Sequence, residues 1–281
     1  MGRPLIISAA ICGGEHTREA TPYLPQTPVE IAESAHAAYE AGAAIAHVHV
    51  WDENGRPTQD LEFYREVYRL LSERCDMIVN VTTGPGGDHT EEERMLPLTL
   101  RPELASFDAG SINFGAGVFV NSPQFLRRLA ERMAESGTKP ELEIFDAAMI
   151  ENCLRLADEG LLEEPLYFQF VLGARGGAPA NARTLVHLVE SLPPGSPWSA
   201  TGIGKYSVEV ALMALAMGGQ VRVGLEDSIY YRRGELATSN AQLVERIARF
   251  AAELDRPVAT PSHARALLHL PSASAPSESA G

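Results

Sequence analysis

The 281-residue chain is short of lysine, of cysteine and of long apolar runs, and each shortage narrows what it can be. Its 23 basic residues are all Arg except Lys139 and Lys205, and 37 acids outnumber them to a formal charge of −14. Nucleic acids and anionic membrane surfaces need a net basic face, so neither is expected as a partner. No stretch approaches the roughly 18 apolar residues needed to cross a bilayer. Residues 1–8 lack the apolar core and cleavage site of a signal peptide, which points to a soluble, cytoplasmic protein. Cys12, Cys75 and Cys153 are widely spaced and form no Cys-x-x-Cys pair, a pattern that suits reduced, buried thiols. A Gly-x-Ser-x-Gly elbow is missing, which argues against a serine hydrolase, and no repeat marks a solenoid.

What remains is globular. Hydrophobic residues make up 45% of the chain, too many for a disordered one. No linker interrupts the first ~260 residues, so residues 1–270 read as one domain. Residues 271–281, rich in Ser, Ala and Pro, read as a disordered tail. Short apolar runs at 5–11, 45–50, 77–81, 104–107, 142–145, 166–172, 198–200 and 220–225 are candidate strands. Helical patterns follow at 28–40, 61–73, 91–95, 123–135, 148–158, 182–191, 208–217 and 241–254. The first helix has a legible start, because Thr27-Pro28-Val29-Glu30 combines a capping box with Pro at the first helical position. Eight strand-then-helix units predict an α/β fold, a single (β/α)8 TIM barrel, with an open doubly wound sheet as its rival. In a barrel, chemistry belongs at the C-terminal ends of the strands.

Several candidate groups lie at such ends. His47-Val48-His49 puts two imidazoles on one face of a strand, within reach of one metal ion, or simply two polar residues at a strand end. Arg222-Val223-Gly224-Leu225-Glu226-Asp227 ends the last strand in two acids. Strand parity sends Glu226 to the side of Arg222 and Asp227 to the other, so one acid can ligate and one act as base. Two imidazoles and a carboxylate form a known catalytic zinc set. Glu15 and His16 follow paired glycines after the first strand, and Asn80-Val81-Thr82-Thr83-Gly84 offers hydroxyls and N–H groups for an anion. Gly173-Ala174-Arg175-Gly176-Gly177, just before a helix, suits a phosphate or carboxylate.

Taken in order, Gly14-Glu15-His16-Thr17-Arg18, His47-Val48-His49-Val50, Gly55-Arg56-Pro57-Thr58-Gln59-Asp60, Thr82-Thr83-Gly84, Asn113-Phe114-Gly115, Gln169-Phe170-Val171-Leu172-Gly173 and Arg222-Val223-Gly224-Leu225-Glu226-Asp227 resemble the β-keto acid cleavage enzymes. That resemblance implies a zinc-dependent barrel, usually a homotetramer, that moves CoA from acetyl-CoA to a β-keto acid to give acetoacetate and a new acyl-CoA. Carried over by motif, it implies zinc ligands His47, His49 and Glu226, a catalytic Asp227 with its partner Arg222, and Glu15 beside them. Thr82, Thr83, Gly84 and Ser106 match the substrate-binding stretch. It further implies that Asp227 takes a proton from the acetyl methyl, that the enolate adds to a zinc-polarised ketone, and that a retro-Claisen step follows. Two positions depart from the family pattern. Pro85, which has no N–H, replaces a glycine, and Asp108 stands where asparagine is usual. Asp108, with Glu143, favours a cationic substituent such as an amine, or else pairs with a neighbouring Arg. The competing readings are a zinc-dependent aldolase or hydrolase of a small keto acid that uses no CoA, and a catalytically silent barrel.

Overall fold

The computed structural model describes residues 3–86, 88–114 and 117–270. The expected tail at 271–281 lies outside them, as does Gly115 of the motif at 113–115. Eight strands are β1 (Ile7–Ala10), β2 (Ile45–Val48), β3 (Ile78–Val81), β4 (Leu104–Asp108), β5 (Lys139–Ile144), β6 (Tyr167–Leu172), β7 (Trp198–Gly202) and β8 (Gln220–Val223). They close into a parallel barrel in sequence order, β8 returning to pair with β1. The open sheet is excluded.

Helices cover the outside: α1 (Pro28–Glu40), α2 (Leu61–Ser72), α3 (Glu91–Met95), α4 (Pro123–Ser136), α5 (Ala148–Asp158), α6 (Ala182–Glu190), α7 (Ser207–Ala216) and α8 (Asn240–Glu253). The start of α1 is as the sequence predicts. Thr27 accepts the Glu30 N–H, the Glu30 carboxylate accepts the Thr27 N–H, and Pro28 supplies a preset φ. None of the described helices is long and apolar enough to cross a membrane.

Three differences from the sequence reading have physical causes. Strand β5 begins at Lys139 rather than 142, because Lys139, Pro140 and Glu141 pair in register with Leu104, Ala105 and Ser106 although only Leu142 begins the apolar run. The run at 45–50 breaks after Val48, where Val50–Trp51 leaves the barrel to pair with Pro57–Thr58. Strand β8 stops at Val223, because Gly224 lies against the β1 backbone: a Cβ there would sit 2.0 Å from the Ala10 carbonyl oxygen. An unexpected ninth helix, α9 (Pro261–Leu268), closes the N-terminal end of the barrel. Its Ala264 and Leu268 pack with Ile6, Ile45, Ile78, Leu104 and Tyr167, near the starts of five strands.

Candidate metal centre and acid–base pair at the barrel mouth

At the opposite end, β2 and β8 bring three ligand atoms together. His47 Nε2 and His49 Nε2 are 3.3 Å apart, and each lies 3.5–3.6 Å from Glu226 Oε1. A tetrahedral metal with bonds of about 2.0–2.1 Å has ligand-to-ligand edges of about 3.3–3.4 Å, so the triangle has the size of one face of such a site. Burial lowers the His47 pKa to about 3, which keeps its lone pair free. Burial opposes ionisation of Glu226, yet Arg222 and the two imidazoles hold its carboxyl well below the usual range. The Nδ1 atoms of both rings and Oε2 of Glu226 are buried with no hydrogen-bond partner among the described residues. Two imidazoles and a carboxylate facing one point fit a divalent cation.

Arg222 binds the second group. Its Nη2 donates to Glu226 Oε1 (2.6 Å) and Asp227 Oδ1 (2.9 Å), its Nε to Asp227 Oδ2 (3.1 Å), and its Nη1 to Glu143 Oε1 (2.9 Å). The parity expectation therefore fails at Asp227. The chain leaves strand geometry at Gly224, and the turn that follows, closed by Asp227 N–H on the Gly224 carbonyl (3.1 Å), swings both acids to the guanidinium. The Thr201 hydroxyl also donates to Asp227 Oδ2, at 3.0 Å. Three carboxylates on one guanidinium leave the cluster two positive charges short. Burial pushes the pKa of Asp227 up against the pull of Arg222, and burial and Asp108 push that of Glu143 well up. A dication at the histidines would supply the missing charge.

The remaining candidates separate into three kinds. Asp108 is buried at the end of β4, in register with Glu143 on β5, and burial raises its pKa while Arg94 opposes. No ion pair joins Asp108 to an Arg among the described residues: Arg94 spends its donors on the Thr83 and Val120 carbonyls and on Asn121. The hydroxyl stretch is largely self-satisfied. Thr83 N–H donates to Ser106 Oγ (3.0 Å), Thr83 Oγ1 to the Ser106 carbonyl (2.9 Å), and Gly84 N–H to Thr82 Oγ1 (2.9 Å). Backbone donors at Thr83 and Gly84 are thus taken, which leaves hydroxyl hydrogens of Thr82 and Ser106 for a ligand. Glu15 lies exposed in the loop after β1, without a hydrogen bond or ion pair among the described residues. In the 173–177 loop, Gly177 N–H closes on the Ala174 carbonyl (3.0 Å).

Comparison with known proteins shows the family. The family model described as beta-keto acid cleavage enzyme matches residues 4–270. The chain belongs to that family. It is 44% identical over 272 residues to the 3-keto-5-aminohexanoate cleavage enzyme of Fusobacterium nucleatum, covering 96% of this chain and 99% of that protein. It is 36% identical over 275 residues to the 3-oxoadipate:acetyl-CoA acetyltransferase of Cupriavidus necator, covering 97% of each. Among solved structures, the complex of ObcA with oxaloacetate superposes with a TM-score of 0.80 at 23% identity, over 89% of this chain and 68% of that one, a likeness of fold.

Some residues of this β-keto acid cleavage enzyme family member escape a reading by motif. Buried Glu141 accepts a hydrogen bond from Asn80 Nδ2, and burial raises its pKa to about 7 although Arg222 opposes. Glu141-x-Glu143 has the same alternation as His47-x-His49, and that period was its available signal. Thr201 carried none, since a lone Thr in an apolar strand is unremarkable.

Proposed function

We propose that the chain is a zinc enzyme that takes CoA from acetyl-CoA and cleaves a β-keto acid to acetoacetate and a new acyl-CoA. The observation that carries this reading is the meeting of the His47–His49–Glu226 triangle with the Arg222–Asp227 pair at one barrel mouth. Zinc held by those three ligands would polarise a ketone oxygen and offset the charge that develops on it.

The residues divide the rest of the work. Asp227 is the base: burial raises its proton affinity, while Arg222 and Thr201 fix the direction of both oxygens. Atom balance puts the proton it takes on the substrate's C2 methylene rather than on the acetyl methyl. The acyl-CoA product bears sulfur on the substrate's ketone carbon, so that carbon must be attacked by the thiolate and must part from C2. Loss of the C2 proton gives a carbanion that attacks the thioester carbonyl and expels CoA thiolate. The thiolate adds to the ketone, and the C2–C3 bond breaks with its electron pair left on C2. That carbon, protonated again and now bearing the acetyl group, is acetoacetate. Thr82 and Ser106, with hydroxyl hydrogens to spare, suit the substrate carboxylate, and Glu15 stands at the rim. Asp108 and Glu143, two buried acids of which only Glu143 has an ion-pair partner (Arg222) among the described residues, suit an amine on the substrate's far end. Two free buried cysteines suit a reducing cytoplasm.

The test is acetoacetate formation by zinc-loaded protein from acetyl-CoA and β-keto acids with neutral, anionic and amine-bearing ends. Product that requires acetyl-CoA supports the reading, and 13C placed in the acetyl methyl should emerge in the methyl of acetoacetate. Cleavage without acetyl-CoA would favour the aldolase or hydrolase instead.

A further inference from the structure

Asn240 is fully buried although it opens an outer helix. It is not there to cap α8, since Ser239 does so by accepting the Gln242 N–H (3.1 Å). All of its side-chain bonds run elsewhere. Oδ1 accepts the Leu225 N–H (2.8 Å), while Nδ2 donates to the Ile11 carbonyl (2.8 Å) and to Ser34 Oγ on α1 (3.0 Å).

Those partners flank the metal triangle. Leu225 immediately precedes Glu226 in the turn after β8, and Ile11 continues β1 toward Gly13. Glu226 enters between the two: its N–H donates to the Ala10 carbonyl (3.3 Å), and a Cβ on Gly13 would lie 2.5 Å from Glu226 Cγ. The Asn240 amide thus ties together both walls of the slot that holds the carboxylate ligand. A buried amide that satisfies three groups in separate segments tolerates little displacement, since each broken bond strands a buried donor or acceptor.

We propose that Asn240 is a positioning residue: by bridging Ile11 to Leu225 it sets the turn that presents Glu226 to His47 and His49, and Asp227 to Arg222. The inference rests on the reading of His47, His49 and Glu226 as a metal site. It requires no contact between Asn240 and metal or substrate, and predicts a metal-affinity effect beyond any loss of stability.

Metal-free wild type, Asn240→Ala, Asn240→Asp, Ser34→Ala and Leu243→Ala proteins would be titrated with Zn2+ against a chromophoric chelator. Visible spectra of the Co2+ forms and apo-protein melting would be recorded alongside. Leu243, also buried on α8, serves as the control for general destabilisation. Asn240→Ala should bind Zn2+ about 10–100-fold more weakly, with an altered Co2+ band, as for other groups that orient ligands. Asn240→Asp keeps an acceptor for Leu225 but loses the donor to Ile11, so it should fall between; it alone decides if the Ala variant does not fold. Ser34→Ala and Leu243→Ala should bind like wild type. Equal affinity and spectra in wild type and both Asn240 variants would overturn the proposal, as would an equal loss in Leu243→Ala. Failure of the wild type itself to bind Zn2+ or Co2+ would instead overturn the metal reading, and this one with it.

Discussion

The two ends of the barrel are built on opposite principles. At the base, α9 covers the starts of the strands with an apolar cluster, and the charges around it bond locally. Arg265 pairs with Asp76 and Glu103, Lys139 donates to the Glu163 carbonyl, and Arg256 donates to the Leu215 and Gly219 carbonyls, with only its Nη2 stranded among the described residues. At the mouth, Arg222 faces three carboxylates. Ser8, His47, His49, Asn80, Glu141, Gln169 and Glu226, all inside the barrel or at its mouth, each carry a buried polar atom without a partner among the described residues. Stranded groups cost free energy in the folded state, so the mouth is a local liability that the base and the helical shell must offset. This is the separation expected of a barrel, with stability at the bottom face and chemistry at the top.

The sharpest way to test the separation is to remove one group from each end. His47→Ala should abolish stoichiometric zinc binding and cut kcat/KM by about 1,000-fold or more, over 4 kcal/mol of transition-state stabilisation, while the apo protein melts near the wild type. Leu268→Ala should do the reverse. It deletes a fully buried side chain at the base, which costs about 3 kcal/mol by denaturant unfolding, and should leave kcat at 25 °C within twofold. A large activity loss in Leu268→Ala would join what the comparison separates.

Most of the base-to-mouth design was readable in the sequence, and the exceptions share a cause. Alternation of apolar runs with helical patterns located all eight barrel strands, because parallel strands buried on both faces are continuous in hydrophobicity. The His-x-His pair was legible because period two carries over to His49, one residue past the end of β2. Parity failed at Asp227, since Gly224 presses against Ala10 and ends the strand, a contact between chain segments over two hundred residues apart. Helix α9 escaped because its value lies in the strand starts it covers, and Thr260-Pro261 was its one local sign, a capping residue followed by Pro. Asn240 escaped for the same reason, since its partners Ile11 and Ser34 lie more than two hundred residues away.

Glu141 tests whether the mouth is strained in the way described. Its folded pKa of about 7 lies above the ordinary carboxylate value of 4.5, through burial. The native state therefore holds a proton that the unfolded state has released, and stability falls as pH rises from about 4.5 to about 7. Glu141→Gln, which cannot ionise, should gain about 2–3 kcal/mol over wild type at pH 8 in the metal-free protein, with the gain gone below about pH 4. Denaturant melts of both proteins across pH 4–8 decide it, and a gain that does not change with pH would show that ionisation is not the source.

The smallest effect belongs to the shell and has the opposite sign. Partial burial opposes ionisation of Glu30, but the Thr27 and Gln26 N–H groups, with Arg18, lower its pKa to about 2. Its folded pKa is thus below the unfolded one, so its stabilisation is present above about pH 4.5 and is lost as pH falls toward 2. The side chain is 40% exposed, and water screens the pairing with Arg18, so only about 0.5–1 kcal/mol is expected from Glu30→Gln at pH 7. Glu30→Gln and Glu141→Gln should therefore diverge from wild type in opposite directions as pH rises. A capping carboxylate in the shell is most useful when ionised, whereas a buried one in the barrel weakens the fold when it ionises.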